Sequence, residues 1–178
     1  MSNVILITGK PRMGKSTLIK KLVQEIGSDR CGGFYTDEMR NEHNRIGFNC
    51  VSVQGDSVGI AHVESTSPIR VGRYGVEAEL FERFAGAVLE EAASTQEIIL
   101  IDEIGFMQMH ASTFAPRVQS ILTSLATSKL VIGTVPLDSH PDIDPIKQLA
   151  GVRIIHLDES NRDAIFGALI NEIKLILD

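Results

Sequence analysis

The sequence predicts an α/β fold, a mostly parallel sheet flanked by helices with a small β-rich insertion, and three observations point to it. Apolar runs without polar alternation recur at residues 4–7, 98–101 and 130–135, as expected of strands buried on both faces of a parallel sheet. Segments of helical period lie between them. The chain has 178 residues, a length that predicts one domain with one main core, and no internal repeat or low-complexity tract divides it.

Taken in order, the first run leads into Gly9-Lys10-Pro11-Arg12-Met13-Gly14-Lys15-Ser16-Thr17. This is the G-x-x-x-x-G-K-S pattern of a P-loop, in its required context of strand, glycine-bounded loop and helix start. Residues 15–27 carry Leu18, Ile19, Leu22, Val23 and Ile26 at helical spacing, and Gly27 is a natural helix stop. Residues 32–36 read as a short strand, 37–45 as a polar loop, 46–53 as a strand, and 58–63 as its hairpin partner beyond the turn Gln54-Gly55-Asp56-Ser57. These form the insertion, over about residues 32–63. A loop at 68–74 carries Arg70 and Arg73. Residues 77–93 predict a helix with Leu80, Phe81, Phe84, Val88 and Leu89 on one face. The strand at 98–101 ends in Asp102-Glu103. A helix over 113–126 follows, with Pro116 in its first turn. After the strand at 130–135 come a short helix at 144–150, a fourth strand at 152–157 and a last helix. Ser160 and Asp163 resemble a capping box at that helix's start.

Composition narrows the classes. The formal charge of −6 weighs against a nucleic-acid partner, which needs a basic face. No apolar run approaches the roughly 20 residues that cross a bilayer, and the N-terminal run continues into the P-loop instead of ending as a signal peptide does. A cytoplasmic protein is expected. Cys31 and Cys50 lack metal-type spacing and are expected as free thiols in a reducing compartment. The five histidines are scattered, so no metal site is read from them. No protein partner is legible.

The P-loop residue types have a chemical reason. Gly9 and Gly14 let successive backbone N–H groups face phosphate oxygens. Lys15 brings a point charge to the β- and γ-phosphates, and the Ser16 hydroxyl can join the coordination of Mg²⁺. The helix N-terminus adds partial positive charge. The pattern predicts binding of a nucleoside triphosphate, ATP, GTP or another. An apolar strand ending in Asp102-Glu103 downstream of a P-loop adds the second half of a site. Asp102 can hold Mg²⁺ with Ser16, and Glu103 can orient the attacking water. A carboxylate is a weak base, so positioning is expected to matter more than proton abstraction.

With both segments in view, the chain resembles the THEP-type nucleoside-triphosphatases, a small P-loop family. The resemblance runs over nearly the whole length. It rests on residues 9–17, on Gly33-Phe34-Tyr35-Thr36-Asp37-Glu38-Met39-Arg40 with Arg45-Ile46-Gly47-Phe48, and on Val71-Gly72-Arg73-Tyr74 with Phe81-Glu82. It continues through Ile101-Asp102-Glu103-Ile104-Gly105-Phe106-Met107 and closes at Asn161-Arg162-Asp163. It implies a RecA-like core and hydrolysis of nucleoside triphosphates with low base selectivity. It also implies that Ile104, Gly105 and Arg162 join the P-loop residues at the nucleotide. The family usually has glutamate where this chain has Gln108. If that carboxylate arranges water or metal, activity or metal dependence changes here; if it only braces the loop, little does.

Phosphoryl transfer needs positive charge on the developing oxyanions, commonly from arginine. Of Arg40, Arg45, Arg70, Arg73 and Arg162, the first and fourth lie in family-like segments on expected loops and are the favoured catalytic candidates. Arg162 is expected near the base or as a helix cap, and Arg12 in a peripheral role. Three readings stay open: hydrolysis directed by Glu103; transfer to a nucleotide or other small acceptor under a lid formed by residues 37–45 and 70–73; and a slow nucleotide-dependent switch. No Asn-Lys-x-Asp signal selects guanine.

Overall fold

The computed structural model describes residues 3–124 and 128–178. Among them one nine-stranded mixed sheet runs in the order β5-β6-β4-β3-β2-β7-β8-β1-β9. Its parallel part joins β1 (Val4–Gly9), β7 (Ile98–Ile101), β8 (Leu130–Pro136), β9 (Val152–His156) and the start of β2 (Cys31–Asn41). The other part is an antiparallel meander of β2, β3 (Asn44–Ser52), β4 (Ser57–His62), β6 (Tyr74–Val76) and β5 (Arg70–Val71). The expected insertion is thus an extension of the main sheet, and its antiparallel pairing makes the sheet less uniformly parallel than the apolar runs suggested.

The buried runs form as read. Val4 and Leu6 face one core layer, Ile5 and Ile7 the other, which is why this strand shows no polar alternation. Helices α2 (Ala78–Thr95) and α3 (Phe114–Ser124) cover the first layer, through residues such as Phe81, Leu89, Phe114 and Val118. Helices α1 (Lys15–Ile26) and α5 (Arg162–Leu177) cover the second, through Leu18, Ile19, Leu22, Leu169 and Ile173. Phe34, Phe81 and Phe114 pack edge-on or tilted, with centroids 4.9–6.2 Å apart, the arrangement aromatic quadrupoles favour. A short helix, α4 (Asp144–Lys147), stops three residues before the expected end. No described helix is long and apolar enough to cross a membrane. Positions 125–126 of the expected third helix lie outside the described residues.

Three expectations need correction. Residues 37–45 are not an outward loop: β2 and β3 pair almost to their ends, leaving a turn at Glu42 and His43. The loop at 68–74 is the small hairpin β5–β6. Ser160 and Asp163 form no capping box. Instead the Asp158 carboxylate accepts from the Ser160 and Asn161 N–H groups at 2.8 and 3.0 Å, while Asn161 Oδ1 accepts from Asp158 N at 2.8 Å. An Asx-type turn therefore launches α5. Both cysteines are buried free thiols in opposite core layers, and burial pushes the Cys31 thiol up to about 11.

Candidate active site

The site collects at the C-terminal ends of the parallel strands, where ligands of open α/β sheets gather. β1 delivers the loop to α1. Gly9 is fixed by a close approach: a Cβ there would stand 2.5 Å from the Leu157 carbonyl oxygen. Gly14 adopts φ 95° at the helix start, a conformation glycine takes freely. Lys10, Pro11, Arg12 and Thr17 are exposed along the loop, and Met13, Lys15 and Ser16 are half-buried. Lys15 Nζ donates to the Gly9 carbonyl at 2.8 Å, so the ammonium folds back over the loop it belongs to.

Asp102 sits at the end of β7 with 1% exposure. Its carboxylate accepts from Thr134 Oγ1 at 2.5 Å and from the Thr36 N–H at 3.2 Å, and the Ser16 hydroxyl lies close enough to act on its pKa. Burial pushes its pKa up, against those hydrogen bonds and the nearby Lys15 charge. Ser16 and Asp102, eighty-odd residues apart in sequence, are thus brought into one site. Thr134 and Thr36 were missed in the sequence. Their signal was a threonine near the end of an otherwise apolar strand and one closing the Gly-Phe-x-Thr segment.

Glu103 follows, joined to Asp102 by a cis peptide. It is half-buried. Burial pushes its carboxyl up to about 7, with Lys15 pulling it down and Asp102 pushing it up. Gly105 lies beneath it: a Cβ there would meet Gln108 Oε1 at 2.8 Å and the Glu103 carboxyl carbon at 3.0 Å. Gln108 is 4% exposed, so Gln108 and Glu103 are neighbours across this glycine. Ile104 departs from the expectation of a nucleotide contact. It is fully buried in the core, and its N–H donates to the Thr134 carbonyl at 2.9 Å.

Two clefts flank the P-loop. One, of about 310 Å³, lies between α1 and α5 and is lined by Gly14, Thr17, Lys21, Arg162 and Phe166. Arg162 begins α5 here, and an Arg162 guanidinium nitrogen lies 3.9 Å from the place a Gly14 Cβ would take. The other, of about 430 Å³, brings Arg12, Arg40, Arg45, Arg73 and Tyr74 together. It therefore unites the two segments expected as a lid, and it draws in Arg12, for which the sequence suggested a peripheral role. Arg70 stays outside, bonded to the Ser65 and Arg73 carbonyls at 2.8 Å. A register shift after Met39 places Arg40 directly opposite Arg45. Like charges so paired are destabilising. Glu38, two residues back on the same face, offsets this by accepting from Arg40 Nε at 2.9 Å and Arg45 Nη1 at 3.2 Å. Burial acts to raise the Glu38 carboxyl, but the two guanidiniums outweigh it and hold it below its usual range. Arg45 Nε also donates to Tyr74 Oη at 2.9 Å, and its guanidinium stacks on Phe48 at 4.9 Å.

The same combination of elements recurs in other proteins. A model of the NTPase family matches residues 4–170. The nucleoside-triphosphatase THEP1 of Thermotoga sp. (strain RQ2) is 38% identical over 96% of this chain and 95% of its own. The crystal structure of THEP1 from Aquifex aeolicus superposes with a TM-score of 0.83 at 36% identity, covering 93% of this chain and 95% of that one. The solution structure of a human cancer-related nucleoside triphosphatase gives 0.77 at 29% identity, over 96% of both chains.

Proposed function

The chain belongs to the NTPase family, and from that premise we propose that it is a nucleoside-triphosphate phosphohydrolase, forming diphosphate and phosphate with a divalent metal. The observation that carries the reading is the buried Asp102 carboxylate at the end of β7, with the Ser16 hydroxyl and the Lys15 charge close enough to lower its pKa against the upward push of burial. Asp102 and Ser16 are a pair of hard oxygen donors from two distant segments, and the pair fits Mg²⁺, which takes one or two protein oxygens and completes its shell with water and phosphate. When bound, the metal supplies charge neutralisation across the β- and γ-phosphates.

The chain's own groups do the rest. Gly9 to Thr17 cradle the phosphates with backbone N–H groups, and Lys15 leaves the Gly9 carbonyl for them. Glu103 holds the attacking water in line. Its raised pKa makes it a better proton acceptor than an exposed glutamate, and positioning supplies the remainder. Arg40 and Arg73 bring positive charge towards the γ-phosphate end. The base lies in the cleft between α1 and α5, against Arg162, Lys21 and Phe166. That wall offers a ring face, a guanidinium and the Asp163 carboxylate; low base selectivity is what the family resemblance implies.

The test is phosphate release from Mg·ATP and Mg·GTP, with and without candidate acceptors such as nucleoside monophosphates. Release without an acceptor, at similar kcat/KM for both, is expected. Appearance of the phosphate only on an acceptor would replace hydrolysis with transfer, and tight binding without turnover would point to a switch.

A further inference from the structure

The two clefts beside the P-loop share no lining residue. None of Lys15, Ser16, Asp102 and Glu103 lines the arginine cleft, whose one P-loop residue is Arg12. The cleft's volume of about 430 Å³ is far more than a terminal phosphate needs and lies within the range of small-molecule sites.

Its charge is unbalanced. Four guanidiniums line it. Glu38 is the one carboxylate in an ion pair with any of them among the described residues, and it is shared by Arg40 and Arg45. Arg12 and Arg73 add charge that no carboxylate answers, in a chain whose net charge is −6. The cluster is also fixed in place by bonds that leave guanidinium edges to spare. Arg45 is held by Tyr74 Oη and the Phe48 ring. Arg73 donates to the Arg45 carbonyl and stacks on Tyr74 at 5.4 Å. Converging, preoriented guanidinium forks match the oxygens of a phosphate group.

We propose that this cleft is a second oxyanion site, which takes a phosphate group not attached to the bound nucleotide. The ligand is either the phosphate released by hydrolysis or the phosphate of a small monoester. Its position next to the γ-phosphate end rests on the function proposed above; its existence as an anion site does not.

Calorimetric titration tests it. Inorganic phosphate and phenyl phosphate are titrated, separately, into protein saturated with a non-hydrolysable triphosphate analogue and into the Lys15→Ala variant. Saturable binding is expected in both backgrounds. Arg73→Ala and Arg12→Asn should each weaken it at least about tenfold, as loss of a charge-assisted bond does. Asparagine is chosen for position 12 because the residue has φ 67°, which asparagine tolerates. Arg83→Ala, on the exposed face of α2, should change nothing. Tighter binding of phosphate assigns the site to the reaction product; tighter binding of the monoester assigns it to a separate ligand. Loss of phosphate binding once the analogue is bound would overturn the proposal, and so would a loss in Lys15→Ala as large as in Arg12→Asn. If the analogue fails to bind while phosphate still responds to Arg12 and Arg73, the nucleotide reading fails and the second site stands.

Discussion

Two glutamates, one on each part of the sheet, show how differently its two halves handle charge. Glu103 follows a parallel strand; burial and Asp102 push its carboxyl up to about 7. Glu38 lies on the antiparallel hairpin, where Arg40 and Arg45 hold its carboxyl below the usual range. The parallel half withdraws acidic groups from water and satisfies them with hydroxyls and N–H groups. The antiparallel half keeps its charges near the surface and steadies them with ion pairs, hydrogen bonds and ring faces. The first arrangement suits proton handling and metal binding, the second the capture of anions. Substitutions on each side, and at the seam, break the comparison in different ways.

The largest effect is expected on the parallel side. Lys15→Ala removes the ammonium that folds over the cradle onto the Gly9 carbonyl, and kcat/KM should fall by about 10³-fold, measured as phosphate release under limiting substrate. Unchanged kinetics would mean the P-loop is not the substrate's seat. Next comes the seam itself. Gly33 immediately precedes Phe34, the residue at which β2 ends its pairing with β7 and begins its pairing with β3. Its φ is 100°, and a Cβ would stand 1.9 Å from the Leu100 carbonyl oxygen. Gly33→Ala combines a strained backbone with a clash against a neighbouring strand, and should cost about 3 kcal/mol or more, read from urea midpoints. A near-neutral result would show that the two halves are less rigidly joined than their shared strand implies.

Glu103→Gln follows, with kcat lower by about 10²-fold and substrate binding kept. In the unmodified chain the rate should climb with pH through about 7, where half the carboxyls are ionised, and level above it, because the carboxylate form is required; the variant should lose that limb. Stability runs the other way. A carboxyl whose folded pKa is raised contributes stability that is full at low pH and is lost as pH rises through the folded value. Between the ordinary carboxylate range and about pH 7 Glu103 ionises in the unfolded chain while the fold still holds it protonated, so stability declines there, and Glu103→Gln should flatten that decline. Persistence of both the rate limb and the stability slope in the variant would assign them to another group.

The parallel half was largely legible in the sequence, because each of its features is local: unbroken apolar runs, the glycine spacing of residues 9–14, and an acidic pair closing a strand. The antiparallel half was not. Residues 37–45 are polar because both hairpin strands overhang into solvent, and a polar overhang has the same composition as a loop. The meeting of Arg40 with Arg45 depends on a register shift that no spacing announces. The closeness of Arg12 to Arg73 depends on how the P-loop tip faces the hairpins. Arg40, Arg45 and Arg73 could be nominated from the sequence as phosphate-facing residues, but Glu38 as their shared counter-ion could not. For Ile104, which the resemblance placed at the nucleotide, the backbone turns the side chain into the core.

The smallest predicted effect isolates the clamp on the antiparallel side. Tyr74 is 6% exposed, and its hydroxyl accepts from Arg45 Nε at 2.9 Å. Tyr74→Phe keeps the ring against which Arg45 and Arg73 rest and deletes only the oxygen. Arg45 retains its Glu38 bond and its stacking on Phe48, so the cluster should persist with one anchor fewer. The expected loss of stability is about 1 kcal/mol, the order of one or two hydrogen bonds, and kcat should barely move because Arg73 keeps the ring face and its bond to the Arg45 carbonyl. A loss as deep as that of Glu103→Gln would mean that the hydroxyl reaches the chemistry itself and that the two halves of the sheet do not divide the work between them.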